Sequence, residues 1–334
     1  MGMTPAVGSP LPDGAPVDLS MSLGPLQLPN PVTTASGCFG SGRDVDAIWD
    51  ISALGMVVAK SVTLEVREGL PTPRMTETPS GMINAIGLQN PGVDQWLATE
   101  LPWLESRGVP VLVSVAGNSV EDFAEVARRV AACASEGAGH GPARAGVVGL
   151  EVNLSCPNVE NRGLVFACRP APSADVIAAV RAAVGPDLPI FGKLTADTTS
   201  VPEVAAAVMD AGATGLTLIN TLLGMDVDWR TGRPGIANTY GGLSGPAIRP
   251  VALRVVHQVG QALPGTPIIA SGGIRTAEDV ICFLRVGASA VAFGTAVFVD
   301  VASPLRELGR LPGLARELGV SRLADLVGAV HPRT

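Results

Sequence analysis

The segment Val147-Val-Gly-Leu-Glu-Val-Asn153 is a nearly uninterrupted aliphatic run, rich in β-branched residues and too short for a helix, that ends on a polar amide. Such a run suits a strand buried on both faces. Seven more runs of the same kind occupy residues 31–36, 56–61, 110–115, 189–194, 215–220, 267–271 and 288–294. Helical patterns follow most of them. Ser119 and Asp122 make a capping-box-like start ahead of a stripe of Phe123, Val126, Ala127 and Val130. Ser200 precedes Val204, Ala207 and Val208, and Thr276 with Asp279 opens a helix buried through Val280, Phe283 and Leu284. Eight strand–helix units in 334 residues predict an α/β chain folded as a (β/α)8 TIM barrel. A doubly wound open sheet is the competing arrangement. It would usually show an early GxGxxG, and none is present.

Three insertions, residues 62–93, 154–171 and 221–247, each follow a strand and so are expected over the C-terminal mouth of the barrel, where barrel chemistry sits. Residues 18–30 read as a hairpin closing the opposite end. Residues 1–17 carry four prolines and no charged n-region followed by an apolar core. They read as a disordered tail rather than a signal peptide, leaving 18–334 as a single domain.

The chain is 47% apolar but only 4% aromatic, with 40 Gly and 28 Pro, so aliphatic side chains must fill the core between many tight turns. A net charge of −7 argues against a nucleic-acid partner, which favours a clustered basic face. Cys38, Cys133, Cys156, Cys168 and Cys282 are odd in number and show no CxxC pairing, so they read as reduced thiols of a cytoplasmic protein, with Cys133 and Cys282 buried in helices. The three histidines have no ligand spacing, and no stretch is long and apolar enough to span a bilayer.

Chemistry concentrates where the strands end. In Leu150-Glu-Val-Asn153-Leu-Ser-Cys156-Pro-Asn158-Val159 two asparagines bracket a cysteine at the mouth of a buried strand. Asn amides donate and accept, which suits a flat polar heterocycle, and a deprotonated cysteine can act as nucleophile or proton acceptor. Elsewhere such a cysteine would read as inert and buried; the turn-forming Pro157 favours the reactive reading. Lys60 and Lys193 end two strands next to core residues and must find an anion or acceptor there, although a structural ion pair would also satisfy them. Asn84 on the first insertion and Asn220-Thr221 after the sixth strand add amides to the same mouth; singly, each would be an ordinary turn residue. Ser271-Gly272-Gly273-Ile274 and Phe293-Gly294-Thr295 end the last two strands. The loops after these strands are a recurrent phosphate site in such barrels, so the glycines serve a phosphate as well as a turn. Cys168 is read as incidental.

Together these residues resemble the class 1 dihydroorotate dehydrogenases, the flavoproteins that make orotate in pyrimidine synthesis. The resemblance spans residues 18–330. It rests on Ala35-Ser-Gly37, Lys60-Ser61-Val-Thr-Leu-Glu, Pro73-Arg74, Glu77-Thr-Pro-Ser-Gly-Met-Ile-Asn84-Ala-Ile-Gly-Leu-Gln-Asn90-Pro-Gly, Asn153-Leu-Ser-Cys156-Pro-Asn158-Val, Ile219-Asn-Thr-Leu-Leu-Gly-Met-Asp226, Gly241-Gly-Leu-Ser-Gly-Pro-Ala247 and Ser271-Gly-Gly-Ile274. The GLQNPG and GGLSGPA wording is similar to class 1B, whose catalytic chain works with a separate subunit carrying FAD and a [2Fe–2S] cluster and uses NAD. This chain lacks cluster-type cysteine spacing, so those groups would belong to the partner. Membrane-associated class 2 enzymes are disfavoured, since they carry serine where Cys156 stands.

The resemblance implies a role for each matched residue. Cys156 takes the C5 proton of dihydroorotate while hydride passes from C6 to flavin N5. Asn84, Asn153, Asn158, Asn220 and Thr221 hold the pyrimidine ring and carboxylate, Lys60 supports substrate and flavin, and Lys193 stabilises the reduced flavin, which calls for positive charge near its N1–C2=O edge. Ala35, Ser36, Gly37, Lys60, Ser61, Asn153, Lys193, Gly245, Gly272, Gly273, Gly294 and Thr295 line the FMN site. It also implies a homodimer of this chain within a heterotetramer. Phe166-Ala-Cys168-Arg169 and Asn161-Arg162 depart from the family pattern without touching the proton-transfer residues. A fumarate-using class 1A enzyme, a flavin-dependent tRNA dihydrouridine synthase and a non-catalytic phosphate-binding barrel are the rivals. The RNA-modifying enzyme would need a basic face and usually an extra helical domain.

Overall fold

The computed structural model describes residues 9–134, 141–142, 145–155 and 169–330. The eight apolar runs form parallel strands: β1 (Val32–Thr34), β2 (Val57–Val58), β3 (Pro110–Val115), β4 (Gly146–Asn153), β5 (Ile190–Leu194), β6 (Gly215–Leu218), β7 (Ile268–Ser271) and β8 (Ala290–Phe293). They pair in the order β1-β8-β7-β6-β5-β4-β3-β2. A parallel bridge between Thr33 and Met56 joins the two ends. Because β1 and β2 are short, hydroxyls complete that seam. Thr33 Oγ1 donates to the Met56 carbonyl at 2.7 Å, and Thr34 Oγ1 accepts from the Val58 N–H at 2.9 Å. The expected (β/α)8 barrel is borne out.

The helices Val93–Ser106, Val120–Ala131, Pro170–Val184, Val201–Asp210, Arg249–Ala262, Ala277–Arg285 and Ser303–Glu317 surround the barrel, whereas the connection after β1 holds only the short turns Arg43–Asp46 and Ile51–Ala53. Ser119 Oγ caps its helix by accepting the Asp122 N–H, and Thr276 with Asp279 forms the full reciprocal capping box. Cys133 departs from the expected burial: it is exposed, in the turn just past Val120–Ala131, and Cys282 is half-buried. Residues 9–17 are tied to the C-terminal end of the helix Ser303–Glu317, with the Leu11 N–H donating to the Arg316 carbonyl at 2.9 Å and Arg316 Nη1 to the Ala15 carbonyl at 3.2 Å.

Both faces of the barrel wall are buried, for different reasons. Outward residues such as Val111, Val113 and Val152 pack under the helices. Inward residues Leu112, Val148, Phe191, Ile269 and Ala290 fill the cylinder together with Leu23, Leu26 and Leu28. Those leucines come from the antiparallel hairpin Met21–Leu23 and Leu26–Leu28, which closes the N-terminal end as expected.

One irregularity positions the chemistry. Val111 pairs with Val147, but Leu112 pairs with Gly149, so β4 carries one residue more than β3 at this point. Both Val148 and Gly149 then face inward, and the alternation beyond them is shifted by one. Glu151 and Asn153 consequently lie in register with inward Phe191 and Lys193. Without the extra residue both would point at the helices.

The first and third insertions pair across the mouth. Met75–Thr78 and Gly81–Asn84 join Leu222–Gly224 and Gly241–Ser244 in an antiparallel four-stranded sheet. Two strands more than 150 residues apart in sequence meet there, Gly242 opposite Asn84. A Cβ on Gly242 would collide with the Thr221 side chain, so glycine lets this sheet settle onto the barrel rim.

Candidate active site

Two adjoining cavities, about 350 and 280 Å³, open at the C-terminal end of the strands. Their size is that of small-molecule and cofactor sites. Ser36, Cys38, Met82, Lys193, Asn220, Thr221, Ser244, Thr295 and Phe298 belong to both walls.

Lys60, Ser61, Asn84, Asn153 and Gly37 line the smaller cavity. Asn153, only 7% exposed, is held between Ser61 and Asn220, which lie just beyond the ends of β2 and β6. Its Nδ2 donates to Ser61 Oγ at 3.1 Å, and Ser61 Oγ shares a hydrogen bond with Ser114 Oγ at 2.8 Å. Asn220 Nδ2 donates to Ser155 Oγ at 2.9 Å and to the Ser155 carbonyl at 3.2 Å, and approaches Asn153 Oδ1 at 3.4 Å. Its own Oδ1 accepts the Thr221 N–H at 2.9 Å. These amides are therefore held at their inner ends by protein partners. Asn84 reaches the same wall from the opposite side, its Nδ2 donating to the Gly242 carbonyl at 3.3 Å.

Lys193 is 4% exposed and Glu151 1% exposed. Lys193 Nζ donates to Ser36 Oγ at 3.0 Å and lies 3.5 Å from Glu151 Oε1. A buried ammonium without such partners would be strongly disfavoured. The side chain lines both cavities.

Ala35, Gly245, Gly272, Gly273, Gly294, Thr295 and Arg275 line the larger cavity. Gly245, Gly272 and Gly273 have φ of 92°, 115° and 78°. A Cβ on Gly273 would lie 2.6 Å from Arg249 Cβ and 2.8 Å from its backbone nitrogen, so only glycine lets this loop lie against the start of helix Arg249–Ala262. Arg249 is in turn tied to Asp279 at 2.5 Å. The result is a pocket of exposed backbone beside a cationic side chain, a donor set that fits a phosphate, adjoining a smaller chamber of amides that fits a polar ring.

All the sequence-predicted site residues that are described thus fall on one of the two walls. Cys156 and Asn158, with Cys168, Asn161, Arg162 and residues 166–168 of the altered loop, lie outside the described residues. Cys38 was not singled out from sequence; its place beside the quoted Ala35-Ser-Gly37 was the available signal. Burial pushes its thiol pKa up, against the pull of Lys193 and Lys60. Cys38 is therefore protonated at neutral pH and is no competing base. Ser244, whose Oγ accepts from Thr295 Oγ1 at 2.7 Å, was likewise passed over inside the glycine-rich Gly241–Ser244 segment. Among the described residues no group of His, Cys, Asp and Glu is arranged to hold a metal ion, and no helix is long and apolar enough to cross a membrane.

A protein-family model described as Dihydroorotate dehydrogenase matches residues 18–308. A protein of Anoxybacillus flavithermus named "Dihydroorotate dehydrogenase B (NAD(+)), catalytic subunit" is 47% identical over 310 residues, covering 93% of this chain and 95% of that one. Proteins of the same name from Bacillus cereus and Geobacillus kaustophilus are 46% and 45% identical, over 316 and 310 residues. These alignments cover 95% and 93% of this chain, and 98% and 95% of those proteins.

Proposed function

Because this chain belongs to the dihydroorotate dehydrogenase family of oxidoreductases, we propose that it oxidises (S)-dihydroorotate to orotate in de novo pyrimidine biosynthesis, using FMN seated in the larger cavity. The observation that carries this reading is the adjacency of the two chambers: amides and Lys60 around one, a glycine-lined backbone pocket around the other, and Lys193 between them.

FMN, when bound, would supply a two-electron acceptor for the hydride leaving substrate C6. The rest is the work of this chain. Cys156 takes the C5 proton. Asn84, Asn153, Asn158, Asn220 and Thr221 orient the ring and its carboxylate, and Lys60 supports substrate and flavin from the wall of the smaller cavity. Holding the ring by several preset amides converts the encounter into an oriented one. Lys193, which lines both cavities, would stabilise the negative charge of the reduced cofactor. Ala35, Ser36, Gly37, Ser61, Gly245, Gly272, Gly273, Gly294 and Thr295 hold the cofactor. Gly273→Ala is expected to weaken FMN binding roughly 10- to 100-fold, since strain of about 1–3 kcal/mol must be relieved by moving the loop. Recovery of free-flavin fluorescence on dilution measures it, and undiminished retention of FMN would count against this pocket as the phosphate site.

We further read the chain as one FMN-binding barrel domain over residues 18–334, working in the cytoplasm as a homodimer. It passes electrons to NAD through a partner subunit with FAD and [2Fe–2S], as the relatives' "catalytic subunit" and "NAD(+)" wording supports. The test is to purify the chain with and without a co-expressed candidate partner and to follow dihydroorotate oxidation with NAD or fumarate. NAD reduction is expected only with the partner present. Efficient fumarate reduction by the chain alone would overturn the NAD route, and failure of dihydroorotate to bleach the bound flavin would overturn the substrate.

A further inference from the structure

We infer that Glu151 is a positioning residue that sets the charge beneath the cofactor. Its carboxylate offsets part of the Lys193 ammonium, so that reduced flavin is stabilised enough to form but not so much that its electrons are trapped. The inference rests on the reading of the larger cavity as an FMN site.

Three observations carry it. First, the extra residue in β4 turns Glu151 inward, in register with Ser114 on one side and Phe191 on the other. At 1% exposure, a carboxylate there is held away from water without serving the aliphatic packing of the barrel. Second, the contact to Lys193 Nζ is 3.5 Å, long for a charge-assisted hydrogen bond, whereas Ser36 Oγ takes the shorter one at 3.0 Å. The hydroxyl fixes where the ammonium points, and the carboxylate acts through space. Third, Lys60 and Lys193 both lie close enough to Cys38 to pull its titration downward, so two ammonium groups share this end of the barrel. With Glu151 the three charged groups sum to a single positive charge, the complement of one negative charge on a reduced flavin. Without it they sum to two. Low dielectric makes that difference felt at the cavity wall.

The test is the two-electron midpoint potential of the FMN-loaded protein, titrated anaerobically against reference dyes in the absence of dihydroorotate. Glu151→Gln is expected to favour reduced over oxidised flavin at least tenfold, an upward shift of about 30 mV for a two-electron couple. Glu151→Asp, which keeps the charge but withdraws it by one methylene, is expected to shift the potential the same way by less. Lys193→Met is expected to shift it downward. A structural role alone would lower unfolding stability and leave the potential in place. A wild-type potential in flavin-bound Glu151→Gln, or in Glu151→Asp should the first variant not fold, overturns the inference. Since no substrate enters the measurement, that result would leave the dihydroorotate reading standing; failure of the wild-type chain to hold FMN would remove both.

Discussion

Replacing Cys156 by serine is expected to slow flavin reduction by dihydroorotate about 10²–10⁴-fold near neutral pH, the usual contribution of a positioned general base, while FMN stays bound. The residue before it is firmly held. Ser155 is 1% exposed, and both its carbonyl and its Oγ accept from Asn220. Serine at this position preserves size and attachment, but an alcohol is a far weaker acid than a thiol of pKa about 8.5, so much less of the basic form exists at neutral pH. The residual rate should climb with pH over a wider range than in the wild type. Anaerobic stopped-flow bleaching of the flavin across a pH series measures both effects. The thiol of Cys38, on the cavity wall, offers no rescue, because burial raises its pKa. Wild-type bleaching at neutral pH in the Cys156→Ser variant would remove Cys156 from the mechanism.

Phe191→Ala is expected to destabilise the flavin-free chain by about 3–5 kcal/mol, the range for deleting a fully buried aromatic ring. Phe191 is 0% exposed and lies in the interior cluster that joins the barrel wall to the leucines of the closing hairpin. Its fit is tight: a Cβ built on Gly215 of the neighbouring strand would lie 2.7 Å from ring Cε1. The surrounding strands are tied into a closed hydrogen-bonded cylinder and cannot slide inward to fill the space, so a cavity penalty adds to the lost burial. Urea unfolding of FMN-free protein is the measurement, since bound cofactor would add its own stabilisation. A loss below about 1 kcal/mol would mean that the hairpin leucines repack into the vacated volume.

The barrel was legible in the sequence because parallel strands covered on both faces leave continuous aliphatic runs, and eight of these recur with helical stripes between them. The caps at Ser119 and Thr276 were legible because their chemistry is local. The sheet over the mouth was not: its strands are three or four residues long, rich in glycine and polar side chains, and their pairing depends on segments remote in sequence. The amides and lysines of the site could be read as strand-end residues without knowing how they are held, so the Asn153–Ser61–Ser114 chain of hydrogen bonds emerged only from the fold. Glu151 escaped notice for a related reason. Strict alternation cannot reveal which side a residue takes when a strand carries one residue too many. Cys133 looked buried because it follows an apolar helical stripe, yet it falls in the turn past the helix, where the chain leaves the barrel wall.

That surplus residue in β4 makes the enzyme intolerant of length change in one narrow place. The excursions over the mouth can lengthen or shorten at modest entropic cost, but loss of a single codon at Val148 or Gly149 would swap the facing of everything downstream in the strand. A carboxylate and an amide would be pressed into the greasy layer beneath the helices, and aliphatic side chains would be delivered to the reaction chamber. Insertions and deletions are thus expected to be tolerated at the rim and not in this two-residue stretch, which carries no reactive group of its own.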